Sequence, residues 1–377
     1  MKTMNYAQLN ELPPSPPGKT GWPWTEKYAH VPPTMPNGKP WAKISIVTPS
    51  YNQGQFIEET IRSVLLQGYP NLEYIIIDGG STDNSVEIIK KYEPWLAYWI
   101  SEKDCGQSHA INKGFRRANG EIYAWLNSDD FFLSDTLKVV GSLFAGKNKN
   151  YWISGTCNIV DCFGNRQRTE QSMVDKRPFV WFAGIHYCKI WQQSVFWSKH
   201  LFDIYGPLDE SLHYCMDFDL FVSFMFGGYP PHIMNHVFSS HRQHEETKTS
   251  EGVLPFKKEM LLVMEKYRKQ LRPEDWQFIK RAQEFDLTRC CAEESYNSAH
   301  KALTQKRVDL VALGVLRSFT TDWCYALHRS IVYLAKCLKT MKVTTASTIL
   351  LRIGLLIGQH RPSALKFQPL ENCKDSN

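Results

Sequence analysis

The segment WLNSDD, residues 125–130, closes an apolar run, EIYAWL, with two adjacent carboxylates, Asp129 and Asp130. Like charges at the end of a buried strand repel unless something compensates them. Asp and Asn favour helix caps, so a cap is the plainer reading. A divalent cation is the sharper one, because a hard ion takes carboxylate oxygens and fills its remaining positions with water or phosphate oxygens. Two further apolar runs end in polar residues: KISIVTPS is followed by Tyr51 and Asn52, and LEYIIIDGG carries Asp78 at its close.

Those residues need elements to hold them. In NQGQFIEETIRSVLLQG the apolar residues Phe56, Ile57, Ile61, Val64 and Leu65 recur at helical spacing. LEYIIID is continuously apolar, as a parallel strand covered on both faces should be. STDNSVEIIKKY opens with capping residues and continues as a helix. WLAYWISE, QSHAINKGFRRANG and EIYAWLNSDD repeat the alternation. Strand and helix alternating over residues 43–147 predict a doubly wound, mostly parallel, twisted α/β sheet. In such sheets a ligand sits outside the carboxyl ends of the strands, so one crevice would receive Tyr51, Asp78 and Asp129 together. A nucleotide is the natural occupant. The chain has no GxxxxGK[ST] loop, and no GxGxxG follows the first strand, which disfavours kinase-like and dinucleotide chemistry.

The rest of the chain frames this region. Residues 1–42, rich in Pro and Trp, predict an extended arm. Net charge is +6, and residues 301–377 hold 12 Lys and Arg against 4 Asp and Glu. Such a tail suits nucleic acid or an anionic membrane surface. No apolar run reaches the roughly 20 residues of a membrane span, but IVYLAKCLKTMK and ILLRIGLLIGQHR mix Leu and Ile with Lys and Arg as interfacial helices do. A basic helical appendage packed on its own domain or on a partner subunit is the alternative. Ten scattered cysteines without CxxC or zinc spacing, and no signal-peptide pattern, predict a reducing cytoplasmic setting, with peripheral contact on the inner membrane face.

Several stretches in order, TPSYNQGQFIEETIRSVLLQGYPNLEYIIIDGGSTDNSVEII, SEKDCGQSHAINKG, GEIYAWLNSDD, QQSVFW and GPLDESLHYCMDFDLF, resemble the family 2 glycosyltransferases of the GT-A fold, of the bacterial polysaccharide and cell-envelope type. The likeness spans about residues 43–250. It implies a Rossmann-like GT-A domain over 43–250, with a nucleotide-sugar half (43–150) and an acceptor half (151–250), followed by a basic helical region over 251–377. It also implies inverting transfer of a sugar from a nucleotide diphosphate donor, a UDP-sugar by expectation, to a saccharide or lipid-linked saccharide hydroxyl. Mg²⁺ or Mn²⁺ is the implied cofactor, and nucleic acid is not among the expected partners.

Residue by residue, the resemblance places Pro49 and Tyr51 at base-contacting positions and Asp78 against nucleobase and ribose. Asp129 matches the last acid of the family's D-x-D motif, but the first acid is replaced by Asn127, an amide that binds a hard ion more weakly. Asp130 either supplies the second carboxylate or braces the turn. Ser128 falls among the donor contacts, and Gln107 and Asp104 are expected to face the donor sugar. Where some relatives have Arg this chain has Ile111, which leaves Asn112 and Lys113 as candidates for the phosphate side. His244 aligns with an Arg-x-His element near the diphosphate and joins Asp129 and Asp130 as an expected metal-site residue. In CMDFDLF the aligned base is Asp217, at the mouth of an apolar helix; Asp219 is expected to be structural, and Asp209 and Glu210 to be turn acids. Asn127 and Ile111 motivate a second reading, a catalytically inactive relative that binds nucleotide sugar or polysaccharide as a scaffold. A nucleotidyltransferase is disfavoured, because TPSYNQG lacks the basic phosphate loop it would need.

Overall fold

A computed structural model describes residues 7–26, 31–177, 181–182, 188–245, 247–248, 253–284, 287–288 and 291. The carboxyl-terminal segments expected to lie on a membrane fall outside the described residues.

The first half alternates as its sequence predicts: β1 (Ile44–Ser50), α1 (Ile57–Leu65), β2 (Leu72–Asp78), α2 (Ser85–Tyr92), β3 (Tyr98–Ser101), α3 (Gln107–Arg117) and β4 (Ile122–Trp125). A two-residue strand β5 (Phe131–Phe132) and helix α4 (Thr136–Phe144) follow. Then come β6 (Trp152–Val160), β7 (Arg166–Glu170), β8 (Met173–Val174), β9 (Cys188–Lys189), β10 (Val195–Ser198), α5 (Lys199–Tyr205), α6 (Met216–Phe226), β11 (His232–Arg242) and α7 (Val253–Lys266). The main sheet runs β3-β2-β1-β4-β10-β6-β11-β5, with β7 on β6, while β8 and β9 make a separate ribbon. β3, β2, β1 and β4 are parallel, and β6 and β11 are parallel; β10 runs antiparallel between β4 and β6. This is the mostly parallel α/β architecture that the alternation of strand and helix predicts. The described residues up to 248, with 262–270, form one compact unit, and those of 253–261 and 271–291 another.

β1 lies between β2 and β4, so the chain order reverses there and the loops after β1 and β4 part to leave a crevice. Register brings Ser50, Asp78 and Ser101 level across three strands. α6 is apolar around its circumference because it is sunk against the sheet: Phe221 stacks on Trp125 and Trp152, and Trp197 closes the cluster against Trp125. Truncating one such fully buried ring typically costs about 3–5 kcal/mol, so this cluster fixes where the first turn of α6 stands relative to β4.

The arm packs against this same unit. The Arg62 guanidinium of α1, 1% exposed, donates to the carbonyls of Pro13, Pro23 and Trp24 and to the hydroxyls of Ser15 and Tyr92. The Trp22 indole N–H donates to the Phe132 carbonyl.

Candidate functional site

The wall formed after β1 and β2 is stitched from both sides. Asn52, in the left-handed region at φ 51°, donates its amide N–H to Ser81, and its side-chain oxygen accepts from the Thr82 N–H. The Gln53 and Gly54 amides donate to Ser85 and Asp83. Partial burial opposes the Asp83 charge, but bonds from Ser85 and Gly54 hold its carboxyl below the usual range. Tyr51 is left 61% exposed at the crevice mouth, whereas Pro49 is buried in β1. Asp78 is fully buried: it accepts from the Gly80 and Ser81 amides and the Ser81 and Ser101 hydroxyls, at 2.5–3.1 Å. Its carboxylate shapes the 79–81 turn from beneath. Gly79 lets the Asp104 carboxylate approach, since a Cβ there would meet it at 2.8 Å and displace it. Ser50, 3% exposed beside Asp78, has a buried hydroxyl with no partner, which makes it a donor-side candidate that the sequence reading missed.

Helix α3 serves both halves. At its start Gln107 donates to the Asn127 side-chain oxygen at 2.8 Å, and Asp104 accepts from the Gly106 amide. Ile111 is fully buried, so a charged side chain there would lie in the core. The placement of Asn112 differs from a phosphate-facing one: it is 1% exposed, and its amide bonds to both backbone groups of Leu208 and to the Glu210 carboxylate. With Ser108, which donates to the Leu212 carbonyl, it fastens the loop that leads into α6. Lys113 pairs with Glu102 at 2.6 Å.

At the end of β4, Gln192 donates to the Trp125 carbonyl, and the chain turns through Asn127–Asp130. The two acids of the pair then face different surroundings. Asp129 is 18% exposed at its side chain, with His244 Nε2 at 3.1 Å from Oδ2. His244 lies against the Phe56 ring and lines a cleft of about 660 Å³ shared with Gln55, Phe56, Asp161 and Cys162. Asp130 turns inward, where it accepts from the Arg242 amide at 2.9 Å and has His241 Nδ1 at 3.3 Å. Burial, and then the Asp129 charge, push its carboxyl up. Burial disfavours a charged His241, but Asp130 outweighs it and raises the imidazole above its ordinary value. Asp130 therefore braces the turn, because its oxygens face donors in the interior. Ser128, 4% exposed, is likewise engaged from behind through its carbonyl.

Among the described residues no group of three or more His, Cys, Asp and Glu side chains forms a metal-binding cluster. Asp129 and His244 do fit a divalent ion that draws its other ligands from diphosphate oxygens and water.

Asp217 stands half-buried in the first turn of α6, its Oδ1 accepting from the Phe218 amide at 2.7 Å. Burial, and then the Asp217 charge, push the Cys188 thiol of β9 up, so the two side chains share one environment. Asp219 turns to Lys266 at 2.7 Å, and burial pushes its carboxyl up despite that partner. Asp209 accepts from the Ser211 amide and hydroxyl, as a turn acid does.

Parts of the chain are similar to known proteins. The Glycosyl transferase family 2 profile matches residues 45–199. An uncharacterized glycosyltransferase of Rickettsia typhi is 29% identical over 192 residues, 48% of this chain and 58% of that protein. TuaG of Bacillus subtilis, provisionally assigned to teichuronic acid biosynthesis, is 40% identical over 107 residues, 28% of this chain and 42% of its own length. The chain thus spans little more than half the length of the curated relatives it matches. Among solved structures, Staphylococcus aureus TarS aligns with a TM-score of 0.49 at 16% identity, over 84% of this chain and 52% of that one. The mannosyltransferase PcManGT from Pyrobaculum calidifontis, in complex with GDP-Man and Mn²⁺, aligns with a TM-score of 0.49 at 18% identity, over 88% of this chain and 90% of that one. Over residues 45–199 the chain is therefore similar to the glycosyl transferase family 2 domain.

Proposed function

We propose that the chain is an inverting glycosyltransferase that moves a sugar from a uridine diphosphate donor to a hydroxyl of a saccharide or lipid-linked saccharide. The observation that carries this reading is the arrangement at the sheet's reversal point: the exposed Tyr51 ring follows β1, and the Asp129–His244 pair follows β4. Tyr51 stacks on the base. Asp78 acts through the 79–81 turn, whose shape it sets beneath nucleobase and ribose. Gln107 and Asn127, joined to each other, and Asp104 line the sugar side. Asp129 and His244 would hold Mg²⁺ or Mn²⁺, which when bound supplies counter-charge to the departing diphosphate. Asp217 accepts the proton of the acceptor hydroxyl as its oxygen bonds to the anomeric carbon, opposite the breaking bond to diphosphate. The leaving group departs as uridine diphosphate, and the sugar stays on the acceptor oxygen with its anomeric configuration inverted.

The test is calorimetry of uridine diphosphate with and without Mn²⁺, together with Mn²⁺-dependent sugar release from UDP-sugars. Asp129→Ala is expected to lose the Mn²⁺-dependent part of binding. Asp217→Asn is expected to keep binding while turnover falls by roughly 10² to 10⁴. Near-normal turnover in Asp217→Asn removes it as the base, and tighter binding of guanosine diphosphate overturns the uridine assignment. Asn127, whose amide oxygen accepts from Gln107, favours the scaffold as the second reading. Metal-dependent nucleotide binding without any sugar release would select it.

A further inference from the structure

The D-x-D motif lacks its first acid here, and the structure shows an arrangement around the remaining one that is built from main-chain contacts. The three carbonyls of Ser128, Asp129 and Asp130 each accept from a buried side chain. Thr60 Oγ1, on α1, lies 2.9 Å from the Ser128 oxygen and 2.7 Å from the Asp130 oxygen, so its one proton is shared between them. Arg242 Nε, at the end of β11, donates to the Asp129 oxygen at 2.9 Å. Thr60 and Arg242 are each 1% exposed.

Arg242 is itself held by a carbonyl, a carboxylate and two rings. Its Nη1 donates to the Cys162 carbonyl at 2.9 Å, and its Nη2 lies 3.1 Å from the Glu59 carboxylate. The guanidinium carbon sits 4.9 Å from the Phe56 ring centre and 5.4 Å from that of Phe131. α1 continues the attachment one turn further, where Ser63 accepts from the Phe132 amide and Gln67 bonds to Leu133 and Leu137. None of these contacts reaches the Asp129 carboxylate, whose partner among the described residues is His244.

Resting on the metal reading of Asp129 and His244, we infer that Thr60 and Arg242 are positioning residues: they clamp the main chain of Ser128–Asp130 from behind, so that one carboxylate and one imidazole suffice where the motif ordinarily has two acids. A loop that is already rigid loses little freedom when its ligand arrives, which offsets a missing donor atom. Partners that orient a ligand without touching the ion typically change metal affinity by 10- to 100-fold.

Thr60→Val removes the hydroxyl and keeps the branched shape, while Thr60→Ser keeps the hydroxyl. The probes are Mn²⁺, followed by the electron paramagnetic resonance of the free ion, and uridine diphosphate, followed by calorimetry. Thr60→Val is expected to weaken Mn²⁺ binding at saturating uridine diphosphate by about tenfold. Its metal-free nucleotide affinity should stay at the parent level, and Thr60→Ser should restore Mn²⁺ binding. Arg242→Lys, which keeps the charge but loses the planar fork, should move the same constant in the same direction. Parent-like Mn²⁺ binding in Thr60→Val, or an equal loss of metal-free nucleotide binding, overturns the clamp. Loss in Asp129→Ala beside no change in Thr60→Val overturns the clamp alone; no loss in Asp129→Ala overturns the metal reading beneath it.

Discussion

Replacing Arg62 by Leu should separate the amino-terminal arm from the domain, and its cost can be worked out from the contacts. The guanidinium reaches five acceptors; those on Pro23, Trp24 and Tyr92 are buried, and those on Pro13 and Ser15 are partly buried. Tyr92 keeps a partner, because its hydroxyl also donates to Glu58. The Trp24 carbonyl keeps the Ser15 hydroxyl at 2.7 Å, whereas the Pro23 carbonyl loses its side-chain donor, and an unpaired buried acceptor costs about 1–3 kcal/mol. Leu also forfeits the contact of the guanidinium with the Trp24 ring at 5.3 Å, worth about 1 kcal/mol. Against this, a neutral side chain avoids the cost of burying a charge. The net expectation is a loss of about 2 kcal/mol, or roughly 4–8 °C in melting temperature for a unit of this size. Urea unfolding measures the first quantity. Trypsin measures the second consequence, because Lys19 lies in the arm with its ammonium over Trp24, and release of the arm should speed cleavage there. A loss below about 1 kcal/mol, or unchanged cleavage after Lys19, would show that the arm is held by its apolar residues and not by Arg62.

Two more outcomes follow from the same reasoning. Asp219→Asn should alter stability and leave Mn²⁺-dependent nucleotide binding intact, since Asp219 faces Lys266. Because burial raises the Asp219 carboxyl above its unfolded value, the folded state holds that proton to higher pH; its contribution to stability is complete below the unfolded pKa and declines as pH rises through the folded one. Melting curves across the acidic range should therefore show a shallower decline in Asp219→Asn, and an identical slope in both proteins refutes the assignment. For the basic tail, truncation after Glu294 should abolish attachment to anionic liposomes, and high salt should weaken it, at about 1 kcal/mol for each Lys or Arg near the surface. Salt-insensitive attachment would point to a packed appendage.

How far the sequence reaches depends on the range of the interactions involved. LEYIIID reads as a doubly covered parallel strand because burial on both faces needs no partner to be named. The succession of strand and helix up to WLNSDD follows from periodicity and turn residues alone, and it already places Tyr51, Asp78 and Asp129 at one end of the sheet. Local chemistry also assigns Asp209 to its turn and Asp217 to the first turn of an apolar helix. What periodicity does not carry is the direction of a polar side chain once distant segments meet. Asn112 and Asp130 are indistinguishable in sequence from exposed ligands; the loop at Leu208 and the end of β11 turn them inward. Thr60, Ser63 and Gln67 read as ordinary polar positions on α1, yet they form a buried seam because residues 128–137 present unpaired backbone groups to them. Nothing in the local sequence calls for burying Arg62 or Arg242, since an isolated guanidinium prefers water. Only the tertiary structure supplies the carbonyls and the Glu59 carboxylate that let both be buried, because those partners lie 38 or more residues away in the chain.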